Sequence, residues 1–255
     1  MSQAMGSALR QSFAMSDSEA SARVDLAAAH RVAVHYRWDY LIYNHIALRV
    51  PGEDYFLIKP HRLRFAEVRA SNLLKLPLDA STIGPDAGVQ AAGLTIHTAV
   101  LNARPDINCT LHIHTPASIA MSARKDALLP IDQGAMRFYN RLSYHDFEGQ
   151  ANDLDEAGRI ALDLGPRNKA MLLRNHGPLT CGADVGEAIA LMYFLTLTCE
   201  MQMMLEASGA QIELPSKAVC EHAVAQWDVH QQTAARDEWP GYLRMMDEID
   251  PSYRD

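Results

Sequence analysis

Two histidines one residue apart, His112 and His114, close the apolar run Ile107-Asn108-Cys109-Thr110-Leu111-His112-Ile113-His114, and a third, His176, closes a second run at Arg174-Asn175-His176-Gly177. An extended strand sends residues i and i+2 to the same face, so one strand end can offer two imidazoles to a single ion while a second strand supplies the third. Three neutral imidazoles suit zinc, and also manganese, iron or cobalt, and they leave coordination positions open for water or substrate. The bland alternative, in a chain with eleven histidines, is a set of partly buried, hydrogen-bonded rings. Context favours the metal site. Thr115-Pro116-Ala117-Ser118 follows the pair and Gly177-Pro178 follows the third histidine, and α/β sheets keep their sites where strands end beside turns and helix starts.

The elements that must position these residues can be read around them. Ser16-Asp17-Ser18-Glu19 is a capping box for a first helix running to about Trp38. A hairpin follows, with strands at 46–50 and 55–58 around Pro51-Gly52-Glu53-Asp54, and Leu73 to Leu76 reads as a third strand. A loop at Gly84 to Gly88 precedes a helix over Leu94 to Asn102, then the strand carrying the histidine pair, and a helix from Pro116 to about Arg124. Leu142 to His145 reads as a strand, Asp153 to Leu164 as a helix, Ala170 to Leu173 as the strand before His176, and Asp184 to Leu205 as a long, nearly all-apolar helix for the core or a subunit interface.

The 255 residues, 48% hydrophobic and 21% charged, suit one globular domain with ample core, set at 16–255 with a C-terminal extension. Met1 to Met15 lack a continuous apolar stretch and are expected to be a flexible N-terminal segment, which makes secretion unexpected. The longest apolar segment, Ala188 to Leu197, is too short to span a bilayer. Cys109, Cys181, Cys199 and Cys220 show no CxxC spacing and read as reduced core residues of a cytoplasmic protein. A net charge of −8 without a basic stripe argues against nucleic acid or anionic lipid and for a small-molecule partner.

Leu-His-Ile-His-Thr-Pro-Ala at 111–117, Leu-Arg-Asn-His-Gly-Pro at 173–178, Leu-Ile-Tyr-Asn-His-Ile at 41–46 and Ala-Arg-Pro-Asp at 103–106 together resemble the class II aldolase/adducin family from about His30 to about Ala207. Leu-Leu-Pro-Ile at 128–131 and Tyr-His-Asp at 144–146 make the chain most similar to the adducin head domain and its bacterial relatives. The resemblance implies an α/β fold, a three-layer α/β/α arrangement around a central, mostly antiparallel sheet. It also implies a cyclic homotetramer with interfacial active sites, and a divalent ion, zinc before manganese, on His112, His114 and His176.

Departures from the family pattern bear on the substrate. The aldolases' acid/base glutamate, four residues before a helix histidine matching His97, corresponds to Gly93. Their phosphate-binding serine pair corresponds to Ala91 and Ala92, their Thr-Gly phosphate loop to His61-Arg62, and their tyrosine proton donor falls near Gln133-Gly134. No catalytic residue is therefore assigned. Arg62 is the candidate fork for a substrate carboxylate, with Lys59 and Arg64 as neighbouring cations. Asn44 is the candidate substrate-binding asparagine. His61, Glu67 and His145 read as structural or solvated, and Trp239 and Tyr242 as core aromatics or as closure for a neighbouring pocket.

The expected activity is a metal-dependent lyase on a small oxo- or hydroxy-acid, by decarboxylation or retro-aldol cleavage. Phosphosugar aldol chemistry is not expected. The alternative is a non-catalytic, adducin-head-like oligomerisation module. Adducins attach a long tail with a basic end to that head, whereas this sequence finishes at Ser252-Tyr253-Arg254-Asp255.

Overall fold

The computed structural model describes residues 15–255, apart from the side chains of 230–232 and 234–236. Nearly all of the segment expected to be flexible, 1–15, thus lies outside the described residues. Ser16 accepts a hydrogen bond from the Glu19 amide and starts α1 (Asp17–His35), whose Leu26, Ala29, Val32 and Ala33 are buried. β1 (His45–Arg49) and β2 (Tyr55–Ile58) form the expected hairpin, and β3 (Leu74–Pro77) pairs with β2. Next come α2 (Ala91–Ala103), β4 (Cys109–His112) and α3 (Pro116–Ser122). The chain continues through β5 (Leu142–His145), α4 (Glu156–Leu164), β6 (Ala170–Leu173), β7 (Gly177–Gly182), α5 (Val185–Ala207) and α6 (Lys217–Ile249).

Among the described residues, seven strands form one mixed sheet in the order β3-β2-β1-β4-β7-β6-β5, antiparallel throughout except for the parallel β5–β6 pair. Alternation along the central strands divides the core in two. Ile46 and Leu48 of β1 and Cys109 and Leu111 of β4 face α1 and α5. Ala47, Leu179 and Cys181 face the layer of α2 and α4, with Ile96, Val100 and Ile160. Helices on both faces of a sheet make this the expected three-layer α/β fold. All four cysteines are buried and unpaired.

Several elements differ from the sequence reading. α2 begins at Ala91, which places Gly93 in its first turn rather than before the helix. α4 begins at Glu156, after a turn at 154–155. The segment after His176 is β7, a strand that the sequence reading did not include. Its Gly-Pro opening reads as punctuation, yet Pro178 sits inside the sheet with its carbonyl accepting from Ile113 N at 3.4 Å. α6, unanticipated, carries Pro240 within it. α5, at 23 residues, is longer than the apolar segment singled out and is long and apolar enough to cross a bilayer by length and composition. Over half of its most apolar stretch is buried inside the fold, as in the core helix of a globular protein. Trp239 and Tyr242 pack into the core of their own chain, with Trp239 Nε1 donating to Asp25 at 2.9 Å.

One core histidine makes the fold sensitive to acid. His30 on α1 is fully buried, donates from Nδ1 to the Leu26 carbonyl (2.7 Å) and meets the Phe65 ring edge-on at 4.6 Å. Burial pushes its pKa down to about 3, from 6.5. The ring stays neutral in the folded chain but takes up a proton on unfolding below pH 6.5. Its contribution is therefore present above that pH and is lost progressively as pH falls, at about 1.4 kcal/mol per pH unit. Urea unfolding of wild type and His30→Phe between pH 7 and pH 5 should show a shallower loss in the variant. An equal slope in the two proteins contradicts this account.

Candidate metal centre

β1, β4 and β7 lie side by side at the centre of the sheet, and their ends build the site. His112 is the last residue of β4, opposite His45 of β1 and Leu179 of β7. His114 lies two residues on, before Thr115 caps α3. His176 sits in the tight turn between β6 and β7, where Asn175 adopts φ 55° and the His176 amide donates to Ser122 Oγ at 3.2 Å. The three rings converge: His112 Nε2 is 3.2 Å from His114 Nε2 and 3.3 Å from His176 Nε2, and one ligand atom from each residue falls within 4.8 Å of the others.

Two hydrogen bonds fix which nitrogens point at the site. The Pro178 carbonyl can only accept, so His112 Nδ1–H donates to it at 2.9 Å and Nε2 keeps its lone pair. Asn44 uses its amide nitrogen on the Trp38 carbonyl, which leaves Oδ1 to accept from His114 Nδ1–H at 2.5 Å. Burial is the main cause that pushes all three ligands below the ordinary imidazole range, well below for His112 and to about 4 for His114. Neutral Nε2 lone pairs are what a divalent cation needs. Gly177 makes the convergence possible, because a Cβ there would stand 2.6 Å from the Ile113 carbonyl and 3.3 Å from the His114 ring.

The predicted substrate residues are placed differently. Asn44 is buried and both of its side-chain groups are engaged, so it braces a ligand from behind rather than facing substrate. Arg62 is exposed and has no hydrogen bond or ion pair among the described residues, and it is His61, not Arg62, that lines the small cavity beside Gly93. Lys59 is buried and spends its ammonium on four carbonyls, those of Ile42, Pro60, His61 and Leu63. Arg64 pairs with Glu67 on the surface. His145 is structural, with Nδ1 2.7 Å from Asp163 and Nε2 3.3 Å from Glu156.

Sequence reading missed residues that pack around the ligands. The His45 ring lies tilted 5.1 Å from that of His112 and bonds to His97, which bonds to Thr110. The exposed ring of Tyr40 lies 5.3 Å from that of His114. Register was the available signal: pairing 45 with 112 brings Asn44-His45 against the histidine strand.

Residues 24–203 match the family model described as Class II Aldolase and Adducin N-terminal domain. The chain belongs to the class II aldolase/adducin family. It is 38% identical over 244 residues to a Caulobacter vibrioides protein named "Putative aldolase class 2 protein", covering 94% of this chain and 95% of that one. Rat alpha-adducin is 42% identical over 202 residues, which are 78% of this chain and 27% of the adducin. The crystal structure of an aldolase II superfamily protein from Pseudomonas syringae superposes with a TM-score of 0.84 at 38% identity, covering 94% of this chain and 97% of its own.

Class II aldolases are typically divalent-metal dependent, and the donor set here fits such an ion. His112→Ala and His176→Ala should each lose most bound zinc by equilibrium dialysis while keeping their folded circular dichroism, because two imidazoles compete poorly with water. Gly177→Ala should also weaken zinc binding, by prising the His176 turn from the β4 end. Full zinc occupancy in both histidine variants would remove the assignment.

Proposed function

We propose that this chain is a divalent-metal-dependent carbon–carbon lyase acting on a small oxo- or hydroxy-acid, by decarboxylation or retro-aldol cleavage, with zinc as the ion and manganese as its alternative. The observation that carries this reading is the convergence of three imidazoles, two with their tautomers set by hydrogen bonds, with glycine at position 93 of α2 packed on the neighbouring His45. A bound ion would act as a Lewis acid for an oxo or enolate oxygen, taking up the negative charge released as the carbon–carbon bond breaks.

The chain's own residues supply position rather than proton transfer from a carboxylate. Pro178 and Asn44 hold the ligand rings, and Tyr40 stands over His114 at the exposed side. Decarboxylation suits such a site because the departing group is carbon dioxide and no base has to remove a hydroxyl proton. Ala91 and Ala92, in the first turn of α2, offer no hydroxyl to a phosphate, which disfavours a sugar phosphate. The exposed Tyr40, Leu41 and Tyr43 beside the site fit a face covered in a homotetramer. Buried unpaired thiols fit a reducing cytoplasm.

The similarity to rat alpha-adducin supports a second reading, a non-catalytic oligomerisation module. Metal retention and turnover separate the two. Zinc- or manganese-loaded protein should release carbon dioxide or aldehyde from at least one unphosphorylated acid in a panel and leave ketose 1-phosphates untouched. A metal-replete protein inert toward every acid favours the adducin-like module, and robust turnover of a ketose 1-phosphate means that another residue supplies the acid/base function. Light scattering should give a tetramer at micromolar concentration.

A further inference from the structure

His45 opens β1 directly opposite His112, but its ring turns toward α2 instead of joining the ligand set. Its Nδ1 lies 2.8 Å from His97 Nε2, and His97 Nδ1 lies 2.6 Å from Thr110 Oγ1. All three side chains are buried, Thr110 and His97 completely. The direction of the protons follows from the far end of this relay. Among the described residues the Thr110 hydroxyl has His97 as its hydrogen-bond partner. A hydroxyl that only accepted would leave its own proton unpaired in the core. Thr110 therefore donates to His97 Nδ1, His97 Nε2–H donates to His45 Nδ1, and His45 is left with its proton on Nε2.

That Nε2 faces the first turn of α2, where a Cβ on Gly93 would stand 3.5 Å from it and 3.2 Å from the ring's Cδ2. The imidazole thus crowds the start of any side chain at 93 and would have to give by a few tenths of an ångström to admit one. It also lines a cavity of about 10 Å³, enough for one water-sized atom. Two more polar atoms from the lining residues, His61 Nδ1 and Gln90 Oε1, are buried without a hydrogen-bond partner.

We propose that His45 is a substrate-binding residue, a neutral imidazole whose Nε2–H donates to one oxygen of a carboxylate or hydroxy-acid held at the histidine triad. This rests on the metal-dependent reading above and adds the group that takes the place of a side chain at position 93. A fixed N–H donor selects an oxygen acceptor, so the ligand class is an oxyanion or hydroxyl small enough to present a single atom to the cavity. Burial, with His97 next, holds His45 well below the ordinary imidazole range, and the role asks nothing of its charged form.

Histidine-selective nitrogen-15 NMR of the whole chain reads the tautomer without added metal. The expected result is a neutral His45 protonated on Nε2, and a proton on Nδ1 instead overturns the proposal. Oxalate, titrated calorimetrically into zinc-loaded protein, probes the donor. His45→Phe should weaken oxalate about tenfold, the worth of one hydrogen bond, while zinc affinity stays within about twofold. His45→Gln, which keeps an N–H near the same place, should recover part of the loss. Thr110→Val keeps the packing but removes the donor that starts the relay, so it should shift the His45 tautomer and weaken oxalate with zinc affinity unchanged. Equal oxalate affinity in His45→Phe and wild type, or no oxalate binding by zinc-loaded wild type, overturns the proposal. Failure of wild type to bind zinc would instead sink the metal reading, and the His45 tautomer is still read on metal-free protein.

Discussion

The hydrogen bond from His112 Nδ1–H to the Pro178 carbonyl joins two adjacent central strands and serves the sheet and the site together. It uses the oxygen of a residue that has no N–H to contribute to the ladder, and it aims His112 Nε2 at the other two histidines. The same register brings Gly177 against the Ile113 carbonyl, so the His176 turn can close on the β4 end only if residue 177 has no side chain. Ligand convergence is thus a property of how two strand ends meet. With neutral lone pairs already aimed inward, little reorganisation is left for a cation to impose.

Asn44 and His45 show how one dipeptide serves both sides of that arrangement. Their side chains leave the backbone in different directions: Asn44 reaches His114 and the Trp38 carbonyl, while His45 reaches His97. Asn44 supplies an acceptor and so sets a ligand's proton. His45 receives its own proton placement from Thr110 through His97, whose burial holds it neutral, its pKa pushed down to about 3. Neutral rings throughout mean that hydrogen-bond direction, rather than charge, organises the pocket wall.

The convergence of the three histidines, the hairpin, the α1 cap and the two-sided helical cover were legible because each depends on local spacing: i and i+2 on a strand, Ser-x-x-Glu before a helix, apolar runs of element length. β7 and α6 were not, because Gly177-Pro178 and Pro240 carry the residue types that normally interrupt such elements, and tertiary pairing overrode that local preference. Asn44 and Lys59 were misjudged for another reason. Residue type identifies a group able to bind an anion, but whether its polar atoms are free depends on nearby carbonyls. Lys59 finds four of them and Asn44 finds one together with an imidazole.

Position 93 illustrates the same limit most sharply. In sequence, glycine there reads as a loss: a carboxylate expected from the aldolases is missing. In the fold it is also a gain of space, occupied by the His45 ring 3.2 Å from where a Cβ would begin. The two residues are sterically coupled, so a side chain returned to position 93 meets the His45 ring first. Its Cβ would press on a ring held by His97, and that ring would have to give by a few tenths of an ångström against a buried hydrogen bond. A carboxylate at 93 and an imidazole at 45 are therefore competing ways to furnish one wall. The first brings an acceptor that can take a proton, the second a neutral donor fixed by a relay. That exchange changes what the wall recognises, from a group that gives up a proton to an oxygen that accepts a hydrogen bond, and it ties the substrate question to a steric fact of the fold.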